Sequence, residues 1–154
     1  MRILYLNHNI AWTGTFFRAF HPGRHLVARG HDVTLVTTHA SHRLGFATAV
    51  NDGLKIVYAP DLLWGPARQG WDFYNALRRL GHLGADRWDL IHAFDARPVV
   101  SIPALRLSRG GRATLVMDWA DWWGRGGTIE ERSGWPVRTL FGPMETWFEE
   151  AFLR

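Results

Sequence analysis

Short apolar runs alternate along this chain with longer stretches in which apolar residues recur at helical spacing. The first run, Ile3-Leu4-Tyr5-Leu6, is continuously apolar, which marks a strand buried on both faces rather than a half-solvated one. Asn7, His8 and Asn9 follow, then a turn containing Gly14. Thr15 can cap a helix through Phe16, Phe17, Phe20, Leu26 and Val27 to Arg29, with a kink or break expected at Pro22-Gly23 and a stop at Gly30. The β-branched run over 32–38 reads as the second strand, so strand, helix, glycine and strand form one βαβ crossover.

The remaining pattern repeats that unit. Residues 40–53 are polar and predict a short helix or loop, 54–59 a third strand halted by Pro60, and 62–70 a loop punctuated by Trp64, Gly65 and Pro66. An amphipathic helix is expected over 71–83, with Trp71, Tyr74, Leu77 and Leu80 near helical spacing. A fourth strand over 89–94 ends at Asp95, a helix over 98–107 contains an awkward Pro103, and 113–117 is a fifth strand. A tryptophan-rich stretch and a glycine-rich loop follow, then a helix over 143–154 with Pro143 at its first position and a stripe of Met144, Trp147, Phe148 and Phe152. Strands alternating with helices predict an α/β, Rossmann-like fold with a doubly wound parallel sheet.

Composition narrows the class. The 154 residues suffice for one domain with a proper core, and 47% hydrophobic with 21% charged residues describe a globular chain. Without cysteine there is no disulfide, thiolate metal site or thiol nucleophile, which suits the cytosol. No apolar run is long enough to span a bilayer, and no signal pattern opens the chain. The net charge of +4 is carried almost wholly by arginine. These arginines form no stripe or basic run, so nucleic acid is not the expected partner.

Candidate chemistry collects where strand ends converge. With the first and fourth strands adjacent, three strand tips meet, carrying Asn7-His8-Asn9 with Thr13-Gly14-Thr15, then His92 to Asp95, then Asp118 to Gly124. Trp12, Trp119, Trp122 and Trp123 lie near the same tips. Tryptophan faces stack on sugars or bases while Asn9, Asp95, Asp118 and Asp121 accept from hydroxyls, so the mixture suits a polyhydroxylated ligand; the competing role for each tryptophan is core. The Thr13-Gly14-Thr15 turn opens a helix, where amides and dipole favour phosphate, or it is merely a tight turn. Asp118-x-x-Asp121 with Asp95 or His92 could suggest a divalent metal, but such pairs are more often caps or hydroxyl acceptors, and no metal is assigned. His8 or His92 could serve as general base, or either could be structural.

Three segments carry a resemblance: Gly14-Thr15-Phe16-Phe17-Arg18, Leu26 through Val36 with its L-x-A-R-G-H-D-V-T core, and Trp88-Asp89-Leu90-Ile91-His92-Ala93. Together they resemble the N-terminal domain of glycosyltransferase family 4, whose enzymes have the GT-B fold of two facing Rossmann-like domains. The resemblance implies that residues 1–154 are the acceptor-side domain, and that the C-terminal domain, with most donor contacts and an E-x7-E element, is absent. It implies sugar transfer from a nucleotide-sugar donor to a carbohydrate or lipid-linked acceptor, typically with retention, with no cofactor, and no catalysis by this half alone. The chain stopping within a helical pattern agrees with a piece of something longer.

The resemblance also implies roles. Thr13, Gly14 and Thr15 would approach the donor phosphates. The residue ending the fifth strand, a histidine in many members, would lie near the transferred sugar; here it is Asp118. Asp118 and His92 are thus the catalytic candidates, with Asn9, Asp95, Trp119, Asp121 and Trp122 as further substrate-binding ones. Members often meet anionic membranes, so a cytoplasmic protein with peripheral membrane contact is expected; Trp12, Phe16, Phe17, Arg18 and Phe20 would make it unless they fill the helix core. The rival reading is a non-catalytic α/β module that binds sugar or nucleotide.

Overall fold

The computed structural model describes residues 1–41, 44–61, 70–111, 113–119, 121–122, 124–131 and 135–153. Two compact units emerge, Met1–Asp118 and Trp119–Arg154. The first is built on a six-stranded sheet with β1 (Arg2–Ile10), β2 (Asp32–Thr38), β3 (Ala47–Asn51), β4 (Leu54–Ala59), β5 (Leu90–Phe94) and β6 (Thr114–Asp118) in the order β3-β4-β2-β1-β5-β6. All pairings are parallel except β3 with β4. The sheet is therefore the Rossmann-like arrangement expected, with one antiparallel strand added at an edge.

β1 sits at the centre, and its alternation sorts side chains between two layers. Ile3 and Tyr5 pack with Phe94, Leu35 and Ile56 under α1 (Phe16–Ala28), whose Phe16, Ala19 and Phe20 complete that core. On the other face lie α2 (Phe73–Leu83) and α3 (Pro98–Ser108), which pack on each other, with α3 also against β1, β5 and β6. Residues Pro98 to Ala104 of α3 are all buried, so this helix is apolar all round and shows no amphipathic stripe.

α1 runs unbroken through Pro22, against the expected break. The proline removes one backbone bond, a cost of about 3 kcal/mol in an ordinary helix interior. Close packing offsets it: a Cβ on Gly23 would lie 3.2 Å from Leu54 Cδ2 and 3.7 Å from Tyr5 Cδ2. The helix presses onto the sheet at the residue after the proline. Its end is the one expected, for Gly30 at φ +86° donates to Val27 O while His31 donates to Leu26 O.

Four further expectations are corrected. Residues 47–51, read as loop or helix, form strand β3, joined to β4 by the left-handed pair Asp52-Gly53, the two-residue turn that suits a hairpin. Thr15 makes no side-chain cap; its hydroxyl accepts from Asn7 Nδ2 at 3.2 Å instead. In α2 the buried face is Asn75, Ala76, Arg79 and Leu83, while Tyr74 and Leu77 are exposed. Asp72 caps this helix, accepting from Asn75 N at 2.9 Å, so Trp71 precedes it. Pro143 lies inside α5 (Trp135–Trp147) rather than at a helix start, and α5 passes into a wider π-helical turn over Phe148–Phe152. Of the 62–70 loop, only Gly70 falls among the described residues, so Trp64, Gly65 and Pro66 lie outside them, as does Trp123.

The second unit holds α4 (Thr128–Glu131), α5 and the π-helical turn. Buried Glu149 ties its entry loop down by accepting from Gly124 N, and Arg125 N donates to Thr146 Oγ1 at 3.0 Å. Among the described residues no helix is long and apolar enough to cross a membrane.

Candidate functional site

Parallel register brings the strand tips into a row: Asn7 pairs with Phe94, and Phe94 with Asp118. The alternation that buries Tyr5 under α1 also points His92 and Phe94 to that face. The Tyr5 ring meets His92 edge-on at 5.4 Å and Phe94 at 5.1 Å, and His92 stacks on Phe94 at 4.1 Å. Phe17, His21 and Pro22 of α1 close the opposite side of an open depression of about 570 Å³.

Charge sits at the rim. Arg18, in the first turn of α1, donates from Nη2 to Asp118 Oδ2 at 2.5 Å, joining positions 100 residues apart. Both groups keep contact with water, at 49% and 27% side-chain exposure, so this pair can exchange partners. His92 is half-buried. Burial foremost pushes its proton affinity below the ordinary histidine value, Arg18 pushes the same way, and Asp118 opposes them. Its ring is thus neutral at pH 7 and available as a proton acceptor.

The turn before α1 is tied to itself. The amides of Phe16, Phe17 and Arg18 donate to the carbonyls of Thr13, Gly14 and Thr15. Thr13 Oγ1 donates to Ile10 O at 2.7 Å, and Asn7 Nδ2 reaches Thr15 O at 3.0 Å. Asn9 lies over Gly14 so closely that a Cβ there would fall 2.1 Å from Asn9 Nδ2, and Gly14 is left-handed at φ +52°. With those three amides engaged, what α1 offers a phosphate at this corner is its positive end and the Arg18 side chain.

His8 and Asp95 lie elsewhere. Both are buried, on the α3 face, with His8 Nδ1 3.4 Å from Asp95 Oδ2 and Arg97 Nε 3.5 Å from the same oxygen. Burial first, then Arg97 and Arg79, holds the His8 proton affinity well below its usual value. The contact is therefore between a carboxylate and a neutral ring, not an ion pair. Asp95 also accepts from Ala96 N, at a left-handed φ of +91°. Its carboxylate does not open onto the depression, contrary to the role expected from sequence. Its link to the site is through backbone: Asp95 N donates to Asp118 O at 2.8 Å.

Fully buried Arg79 completes this cluster, donating to Asn7 O, Val99 O and Thr38 Oγ1. Desolvation pulls its proton affinity down to about 10, opposed by Asp61 and Asp72, so it stays charged at neutral pH.

Trp119, Asp121 and Trp122 belong to the second unit. The two indoles stack at 5.9 Å with an interplanar angle of 20°, both half-open to water, and Trp122 Nε1 donates to Arg125 O at 2.7 Å. Asp121 is exposed beside them. Among the described residues no group of three acidic or histidine side chains could hold a metal ion, and the Asp118 carboxylate already faces a guanidinium.

Sequence reasoning put His92, Phe94 and Asp118 at the strand tips but did not name Tyr5 and His21 as lining, and placed Arg18 and Phe17 in a patch that meets a membrane or fills the helix core. Parity along β1 and β5 carried that signal, since residues two apart share a face. The comparison with curated proteins returns no match. Residues 17–154 match the family described as glycosyl transferase 4-like domain, nearly the whole chain. On that match, and with the Rossmann-like sheet beneath it, this chain belongs to the glycosyl transferase 4-like domain family.

Proposed function

We propose that this domain is the acceptor-side half of an enzyme that moves a sugar from a nucleotide-sugar donor to an acceptor hydroxyl, and that the donor-binding half is supplied by a C-terminal domain. The single observation that carries the reading is the Arg18–Asp118 pair beside neutral His92 on an aromatic depression at the strand tips. Rossmann-like sheets bind ligands beyond their strand carboxyl ends, and this depression opens there. The exposed ring of Phe17, over a floor of buried Tyr5 and Phe94, suits an acceptor with an apolar side, carbohydrate or lipid-linked, while Asp118 or His92 can accept the hydroxyl proton. Charge that builds on the departing diphosphate needs a fixed cation, and Arg18 at the positive end of α1 is placed to supply one. The stacked Trp119–Trp122 pair and Asp121 offer a second surface for a sugar ring. The donor enters as a substrate and no cofactor or metal is invoked; the working location is the cytoplasm, with peripheral contact to a membrane when the acceptor is lipid-linked.

The test is a donor-hydrolysis and transfer screen on the full-length gene product, with Asp118→Ala and Gly14→Val beside wild type. Asp118→Ala is expected to lose transfer with folding intact, and Gly14→Val to lose it by distorting the turn under Asn9. Transfer at wild-type rates in both would remove Asp118 and the Gly14 turn from the site. Sugar binding without any turnover would favour the non-catalytic module.

A further inference from the structure

The Arg18–Asp118 pair has a property beyond holding two charges, because a third titratable group lies under it. His92 is faced by Tyr5 of β1, by Arg18 and His21 of α1 and by Asp118 of β6. Of these, Arg18 and Asp118 act on the His92 proton in opposite directions. They do so while bound to one another, at a rim where either can turn to a solute. Any anion that takes Arg18 offsets its charge and therefore shifts the balance on His92 toward Asp118.

We propose that a phosphate-bearing anion captured by Arg18 releases Asp118 from its partner and so drives a proton from solvent onto His92, making Arg18 a positioning residue that couples anion binding to the charge of the site. This rests on the reading of the domain as a transferase half, in which the anion is the donor diphosphate. The exchange balances simply. The guanidinium moves its hydrogen bond from Asp118 Oδ2 to a phosphate oxygen, no covalent bond changes, and one proton passes from water to the imidazole. Before the donor arrives His92 is neutral. Afterwards a larger share of His92 carries the proton, and that imidazolium form, beside a carboxylate released from its partner, adds positive charge where leaving-group charge develops. Binding and proton uptake are then linked, so the anion binds more tightly as pH falls through the His92 titration.

The experiment follows the His92 ring by NMR across a pH series on the 154-residue chain, with and without saturating inorganic pyrophosphate. In wild type, pyrophosphate should raise the His92 midpoint by roughly half a unit to one unit, the reach of a nearby charge at a half-exposed site. Arg18→Gln should show the raised midpoint without ligand and no further rise with it. Arg18→Lys should restore part of the response. Asp118→Asn should hold the midpoint low and blunt the response, and it serves as the second variant if Arg18→Gln loses its fold. An unchanged midpoint in wild type, or failure of pyrophosphate to bind at millimolar concentration, overturns the coupling. Because the readout needs no turnover, its failure leaves the transferase reading to stand or fall on the transfer screen. Equally, an absence of transfer leaves the proton linkage measurable.

Discussion

Two histidine–aspartate–arginine sets lie on opposite faces of the same strand tips, and they differ in almost every physical respect. His8, Asp95 and Arg97 on the α3 face are sealed from water, with Arg79 fully buried beside them. His92, Asp118 and Arg18 on the α1 face border an open depression. The residue types are nearly the same, so composition cannot assign their roles. In the sealed set a lost partner strands a buried charge, which makes each member a structural strut. In the open set water can replace any partner, so the stability at stake is small and the groups are free to act on a solute. Burial, rather than residue type, separates scaffold from chemistry here.

That contrast is most exposed at Arg79. Replacing it with methionine removes three donated hydrogen bonds and a buried charge that Asp61 and Asp72 favour, and should cost about 3 kcal/mol or more, read as a shift in urea midpoint. Gly23→Val should follow at about 1–3 kcal/mol, because its side chain would push α1 off Leu54 and Tyr5.

A pH series probes the sealed set differently. His8 binds its proton less readily folded than unfolded, so the unfolded chain takes up the extra proton as pH falls. Stability should be complete above about pH 6.5 and decline below it by up to about 1.4 kcal/mol per pH unit, and His8→Gln should flatten that acid limb. An unchanged limb would mean His8 is not sealed and the two faces differ less than drawn.

The open set should answer in the reverse order. Asp118→Ala should move the unfolding midpoint by less than about 1 kcal/mol while abolishing transfer by the full-length protein. Smallest of all, Trp119→Ala should alter stability by about 0.5 kcal/mol or less, since the indole is half-exposed, with any larger effect confined to acceptor binding.

Much of this was legible in the sequence because it rests on strong periodicity. The β-branched 32–38 run could only be a buried strand, and β2 has those bounds. Strand β3 escaped notice because four of its five residues are exposed, so no buried face stamped an alternation on it; Asp52-Gly53 was the one local sign of the hairpin. In α2 the eye follows Tyr74 and Leu77, yet the helix is docked through Arg79, whose burial depends on acceptors contributed by β1, β2 and α3. His92 and Asp118 could be nominated from strand ends. That Arg18 would reach Asp118, or that Asp95 would turn inward to His8, depends on contacts distant in sequence and left no local trace.

The Arg18–Asp118 bridge spans a hundred positions, and β6 is the last described strand of the first unit to leave the ribosome. A nascent chain can lay down α1 and pair β1 with β2 early, but the charged corner cannot exist until Asp118 has emerged and β6 has zipped along β5. Formation of the depression is thereby reserved for the final step of assembly of the first unit. A ribosome-stalled series should gain the His92 signature only in arrests placed well beyond that strand.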